Sequence, residues 1–151
     1  MSEADVLTRM LHAIDVLDWA GVSAALDHEV LVDYSSLSGG KPEALRADDL
    51  IARWQGLLPG FDATQHLTGP VVLTDDGGPG VRADTHLAAF HRLAGADGGE
   101  NWALHGHYTA RLVGGRIAAL TLTVFFQDGN TDLPRAAAER AVTSPRQPAQ
   151  P

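Results

Sequence analysis

No cysteine occurs in the 151 residues, which excludes a disulfide frame, a thiolate metal site and a cysteine nucleophile. Lysine is almost missing too: Lys41 stands alone, and the formal net charge is −8. A nucleic-acid surface needs clustered Lys and Arg against the phosphates, so nucleic acid is excluded as a partner class. No apolar run approaches the roughly 18 residues of a membrane-spanning helix, and the N-terminus lacks the basic-then-apolar order of a secretory leader. The expectation is a cytoplasmic protein without membrane association. What is present suits a globular chain: 44% of the residues are hydrophobic, too many for a disordered one. The length fits one domain with core enough to line a pocket.

Behind Ser2, Glu3 and Asp5, which suit a helix start, Leu7, Met10, Leu11, Ile14 and Leu17 recur at helical spacing. Asp15 interrupts that face, on the edge of the buried ridge, where a carboxylate needs a partner. A histidine would serve. Asp18 suits the cap of a second helix through Trp19, Val22, Ala25 and Leu26. A third helix is expected over 47–57, with Leu50, Ile51, Trp54, Leu57 and Leu58 inward. Between them, Val30-Leu31-Val32-Asp33-Tyr34 alternates as a strand and turns the Tyr34 phenol inward beside two valines. Residues 35–42 read as a loop.

After Pro59-Gly60 the pattern becomes alternating, with strands expected at about 66–74, 80–92, 101–113 and 116–126. His66 stands at the mouth of the first. In the second, His91 ends an apolar row (Val81, Ala83, Thr85, Leu87, Ala89), whereas His86 shares a charged one. In the third, Trp102, Leu104, Gly106 and Tyr108 align against His105 and His107. That histidine pair has no third ligand at suitable spacing, so an outer sheet face or subunit contact is expected there and no metal. The fourth strand is apolar on both faces, as in a central or interface position. Residues 1–134 are expected to form the domain. Residues 135–151 are expected to be a disordered tail, with an alanine-rich stub at 136–140 that suits a helix.

Three N-terminal helices followed by a mostly antiparallel sheet give an α+β class in which the sheet curls over the helices. Asp15, Tyr34, His66 and His91 then face one hollow. The order helix–helix–strand–helix–sheet resembles the nuclear-transport-factor-2-like fold, a cone-shaped α+β barrel. Within it, four segments resemble the scytalone dehydratase and SnoaL-like branch over about residues 5–126. Asp15-Val16-Leu17-Asp18-Trp19 resembles an Asp-x-x-Asp-Trp segment whose first Asp orients a catalytic histidine. Asp33-Tyr34-Ser35-Ser36 resembles an Asp-Tyr-x-Ser segment whose tyrosine binds substrate through water. Thr64-Gln65-His66-Leu67-Thr68-Gly69 resembles the segment that supplies one catalytic histidine, and Phe90-His91-Arg92 stands where the second is placed. Departures are visible as well. Ile14 replaces a second substrate-binding tyrosine, and Leu104 and Gly106 stand where a serine–asparagine pair contacts substrate, so scytalone itself is not carried over.

Histidine titrates near neutrality, and a carboxylate on one ring nitrogen makes the other a better base. The expectation is that Asp15 holds His91, that His91 takes a proton next to a substrate carbonyl, and that Tyr34 and His66 stabilise the enolate or protonate a departing hydroxyl. This chemistry needs no cofactor. Met10, Ile14, Trp54, Leu58, Trp102 and Leu104 are expected to line a pocket for a small hydrophobic cyclic or aromatic ligand. The function expected is a cofactor-independent lyase of the dehydratase type. A polyketide cyclase or isomerase with the same dyad, or a non-catalytic ligand-binding module, stays open beside it. A homodimer or homotrimer is expected, because the outer sheet face carries Phe125, Phe126 and the histidine pair.

Overall fold

Helix α1 (Asp5–Asp15) forms where the apolar spacing places it and buries Val6, Leu7, Met10, Leu11, Ala13 and Ile14. In this computed structural model, which describes residues 2–148, α1 ends abruptly. The Leu17 N–H donates to the Ile14 carbonyl at 3.0 Å and the Asp18 N–H to the Ala13 carbonyl at 2.8 Å. This is a Schellman closure with leucine in the position usually given to glycine: Leu17 has φ 58°. Its side chain is 2% exposed, so apolar burial offsets the backbone strain. Asp15 is thereby the last helical residue. Helix α2 (Trp19–Ala25) follows at once, capped by the Asp18 carboxylate, which accepts from the Gly21 N–H at 3.0 Å.

The remaining elements are β1 (Leu26–Asp33), the single turn α3 (Ser35–Ser38), β2 (Glu43–Arg46), α4 (Ala47–Gln55), a 3-10 turn (Leu58–Gly60), β3 (Ala63–Thr68), β4 (Val72–Thr74), β5 (Val81–Arg92), β6 (Asn101–Val113), β7 (Arg116–Gly129) and α5 (Leu133–Thr143). The strands form one sheet in the order β2-β1-β7-β6-β5-β3, with β4 also on β5. Every pairing is antiparallel except β1 with β7. The sheet curls without closing, giving the α+β cone expected. Its concave side takes the buried row of β6 (Trp102, Leu104, Gly106, Tyr108, Ala110, Leu112) against the apolar faces of α1 and α4.

Differences from the sequence reading have local causes. The strand expected at 66–74 divides into β3 and β4, since Pro70 has no N–H to continue a ladder. The expected loop at 35–42 holds α3, and β2, which follows it, is a mostly exposed edge strand with no apolar alternation to reveal it. The expected disordered tail is largely ordered: α5 buries Leu133 and Ala137 completely. It docks on the 3-10 turn because residue 60 is glycine; a β-carbon there would lie 1.7 Å from the Ala137 carbonyl oxygen. Residues 149–151 of that tail lie outside the described residues.

Candidate active site

Strand β3 is the last strand of the sheet order, so its outer edge has no strand partner. The end of α1 lies against that edge, and Asp15 supplies what it lacks. The His66 N–H donates to Asp15 Oδ2 at 2.8 Å, and the Thr64 hydroxyl donates to Oδ1 at 2.9 Å. The His66 ring closes the arrangement, with Nδ1 2.7 Å from Oδ1. An ionised carboxylate only accepts, so Nδ1 carries the proton of this bond, and in the neutral ring the lone pair lies on Nε2. Both side chains are mostly shielded, at 9% exposed for His66 and 15% for Asp15. Burial raises the Asp15 carboxyl, but the hydrogen bonds and charge of His66, with the Thr64 hydroxyl, outweigh it and hold the group below its ordinary value.

Asp15 therefore holds His66 and not His91, which corrects the expected pairing. The reason is topological: β5 lies inside β3, so His91 sits one strand further from α1. His91 Nδ1–H instead donates to the Trp102 carbonyl at 3.1 Å. Its ring stacks on Trp102 with centroids 4.2 Å apart, meets Phe61 at 4.9 Å, and lies edge-on to His66 at 6.1 Å. Burial pushes His91 down to about 4, so it is neutral at pH 7.

His66 and His91 line a cavity of about 300 Å³ together with Ile14, Tyr34, Trp54, Leu58, Trp102 and Leu104. Met10 does not: it is fully buried in the core, on the stretch of α1 away from the cavity. Tyr108 is a lining residue not singled out from the sequence, although its place in the Trp102–Leu104 row was the available signal. Its hydroxyl lies 3.3 Å from that of Tyr34. Burial, and then the neighbouring Tyr108, push the Tyr34 phenol well above its ordinary range; burial raises Tyr108. Both hydroxyls are therefore protonated donors at neutral pH. Lys41, Glu43 and Arg53 form the polar mouth, where Arg53 pairs with Glu43 at 2.6 Å.

Three further histidines, on β5 and β6, lie elsewhere. His86 is exposed, His105 Nε2 is 3.3 Å from Asp128, and His107 Nε2 is 3.6 Å from Asp84, all on the convex face. Among the described residues, no group of three or more His, Asp or Glu is placed to hold a metal ion. Among them, too, no helix is long and apolar enough to cross a membrane.

Residues 4–116 match the family model of the SnoaL-like domain. The chain belongs to that family. With it the chain joins the nuclear-transport-factor-2-like superfamily, whose cone fold it has. No curated protein matches it in sequence. Among solved structures it is similar to the Kfla4162 protein of Kribbella flavida, at 23% identity over 88% of this chain and 94% of that one, with a TM-score of 0.78. A scytalone-dehydratase-like protein from Novosphingobium aromaticivorans is 15% identical over 83% of each chain, with a TM-score of 0.68. The RV0760c protein of Mycobacterium tuberculosis, in complex with estradiol-17beta-hemisuccinate, is 15% identical over 87% of this chain and 97% of that one, with a TM-score of 0.63. At these identities the likeness to solved structures carries the fold.

Proposed function

We propose that this SnoaL-like chain is a cofactor-independent lyase of the dehydratase type, acting on a small hydrophobic cyclic or aromatic carbonyl compound. The observation that carries the reading is the 2.7 Å Asp15–His66 pair on the wall of an apolar cavity. His66 Nε2 takes a proton from the carbon next to the substrate carbonyl, and Asp15 stabilises the imidazolium that forms. Negative charge moves to the carbonyl oxygen, where the Tyr34 and Tyr108 hydroxyls meet it. One hydroxyl donates to the other, which leaves the second proton for the substrate. The enolate then re-forms the carbonyl as the β-carbon–oxygen bond breaks, and the imidazolium returns its proton to the departing hydroxyl as water. His91, neutral and fixed through Nδ1, offers Nε2 as an acceptor to that hydroxyl before it leaves. The roles of the two histidines are thus exchanged relative to the sequence expectation.

General acid–base help contributes roughly 10²–10⁴-fold and donors at a developing oxyanion about as much again. That is enough for an acidic α-proton. The scytalone-dehydratase-like neighbour supports elimination as the outcome, and the steroid ester bound to the Mycobacterium tuberculosis neighbour supports an apolar polycyclic ligand. A polyketide cyclase or isomerase would share the first step and differ only in the fate of the enolate.

That shared step is the test. Cyclic β-hydroxyketones incubated in D2O should exchange the α-proton in the presence of the protein, followed by proton NMR. Asp15→Asn and His66→Ala should each slow exchange by about 10²–10⁴-fold while the circular dichroism stays native. Exchange that proceeds equally in both variants removes the dyad from the mechanism.

A further inference from the structure

The family match ends at residue 116, yet the chain beyond it reaches back to the dyad. We infer that Arg146 is a positioning residue for Asp15, and that the segment following α5 is part of the active-site framework. The inference rests on the proposed role of the dyad but is tested without turnover.

The carbonyls at the end of α1 each need a donor. The last four carbonyls of a helix have no partner within it unless a closure supplies one. Here the Val16 N–H donates to the His12 carbonyl at 3.4 Å, and the Schellman pair takes those of Ala13 and Ile14. Asp15 is left over. Its carbonyl accepts from Arg146 Nη1 at 3.1 Å, across 131 positions of sequence. The same guanidinium donates through Nε to the Phe61 carbonyl at 3.2 Å, and Phe61 packs on the His91 ring at 4.9 Å. One planar group thus ties the backbone of Asp15 to the backbone that backs the second histidine. The fork geometry of arginine suits two carbonyls at once; an ammonium cannot span them in the same way.

The strap is itself anchored. The Arg146 N–H donates to the Pro59 carbonyl at 2.7 Å, and in α5 Arg140 donates to the Gly60 carbonyl at 3.3 Å and to the Asp62 carboxylate. Arg146 Nη2 is buried with no partner, so the residue is held although one donor goes unsatisfied. Charge favours the same arrangement. The C-terminal end of a helix carries partial negative charge, which opposes an ionised carboxylate at that end. A guanidinium beside it reduces the opposition.

The test uses the full-length protein and amide hydrogen exchange resolved by NMR. The His66 N–H, bonded to Asp15 Oδ2, reports where that carboxylate stands. In Arg146→Met its protection should fall by about tenfold while the β5–β6 amides keep theirs, and the hydrogen-bonded His66 Nδ1 proton signal should weaken with it. Arg146→Lys, which keeps the charge and loses the double bridge, should fall between wild type and Arg146→Met. If Arg146→Met does not fold, Arg146→Lys carries the test by itself. Unchanged His66 protection, or loss in step with the β5–β6 amides, overturns the inference. An inactive Asp15–His66 dyad with the expected exchange pattern would instead overturn only the catalytic reading.

Discussion

An aspartate at the last position of a helix is electrostatically awkward, and Asp15 is half-buried there as well. It is held by Thr64, by both nitrogens of His66 that can reach it, and by the cation of Arg146. His91 is the opposite case, a neutral imidazole that burial keeps from charging. Its folded value, about 4, lies below the unfolded value of 6.5, so the unfolded chain binds the proton more readily. Stability contributed by neutral His91 is fully present above pH 6.5 and is lost as pH falls towards 4. Denaturant melts of wild type should lose on the order of 2–3 kcal/mol across that window, and His91→Gln should lack that part of the slope. The phenol pair gives a second expectation: Tyr108→Phe should slow α-proton exchange by about tenfold or more and leave apolar ligands bound, measured by exchange rate against ligand titration. Alternation placed His91 at the end of an inner row, whereas His66 was read only as standing at the mouth of a strand. Which of them meets Asp15 depends on which strand is at the edge, and that is decided by long-range pairing the residue pattern does not contain.

At the scale of elements, legibility followed burial. Strand β6 was readable to its ends because a continuous buried row alternates with a polar one, and β5 almost so. Strand β2 was not, and helix α5 showed only as a short alanine-rich stub. The first is nearly all exposed, and the second is ordered by distant anchors at Gly60 and Asp62 rather than by a strong face of its own. The docking of α5 predicts a clear effect of a single methyl group. Gly60→Ala would place its β-carbon against the Ala137 backbone, where neither side can yield cheaply. The variant should lose about 1–3 kcal/mol of stability with a lower melting temperature, whereas Gly40→Ala, at an open loop position whose own φ of 87° gives strain without contact, should lose less.

At the scale of the molecule, the convex face of the sheet carries Phe90, Phe125 and Phe126, exposed at 40%, 59% and 55%. Phe126 stacks on His105 at 4.4 Å, and His86 meets Phe125 edge-on at 6.2 Å. Apolar surface of this kind marks an interaction site, and the proposal of a homodimer or homotrimer places a second copy there. Light scattering after size exclusion should give an oligomer for wild type and a smaller species for Phe125→Ser with Phe126→Ser; a monomeric wild type at micromolar concentration would remove the proposal. On the concave side, the proposed proton transfer depends on one nitrogen being free. Nitrogen-15 NMR of the His66 imidazole at pH 7 reads this directly. Wild type should show a proton on Nδ1 and a bare Nε2, with that preference lost in Asp15→Asn; a proton on Nε2 in preference to Nδ1 in wild type, or a His66 spectrum unchanged by Asp15→Asn, would rule the dyad out.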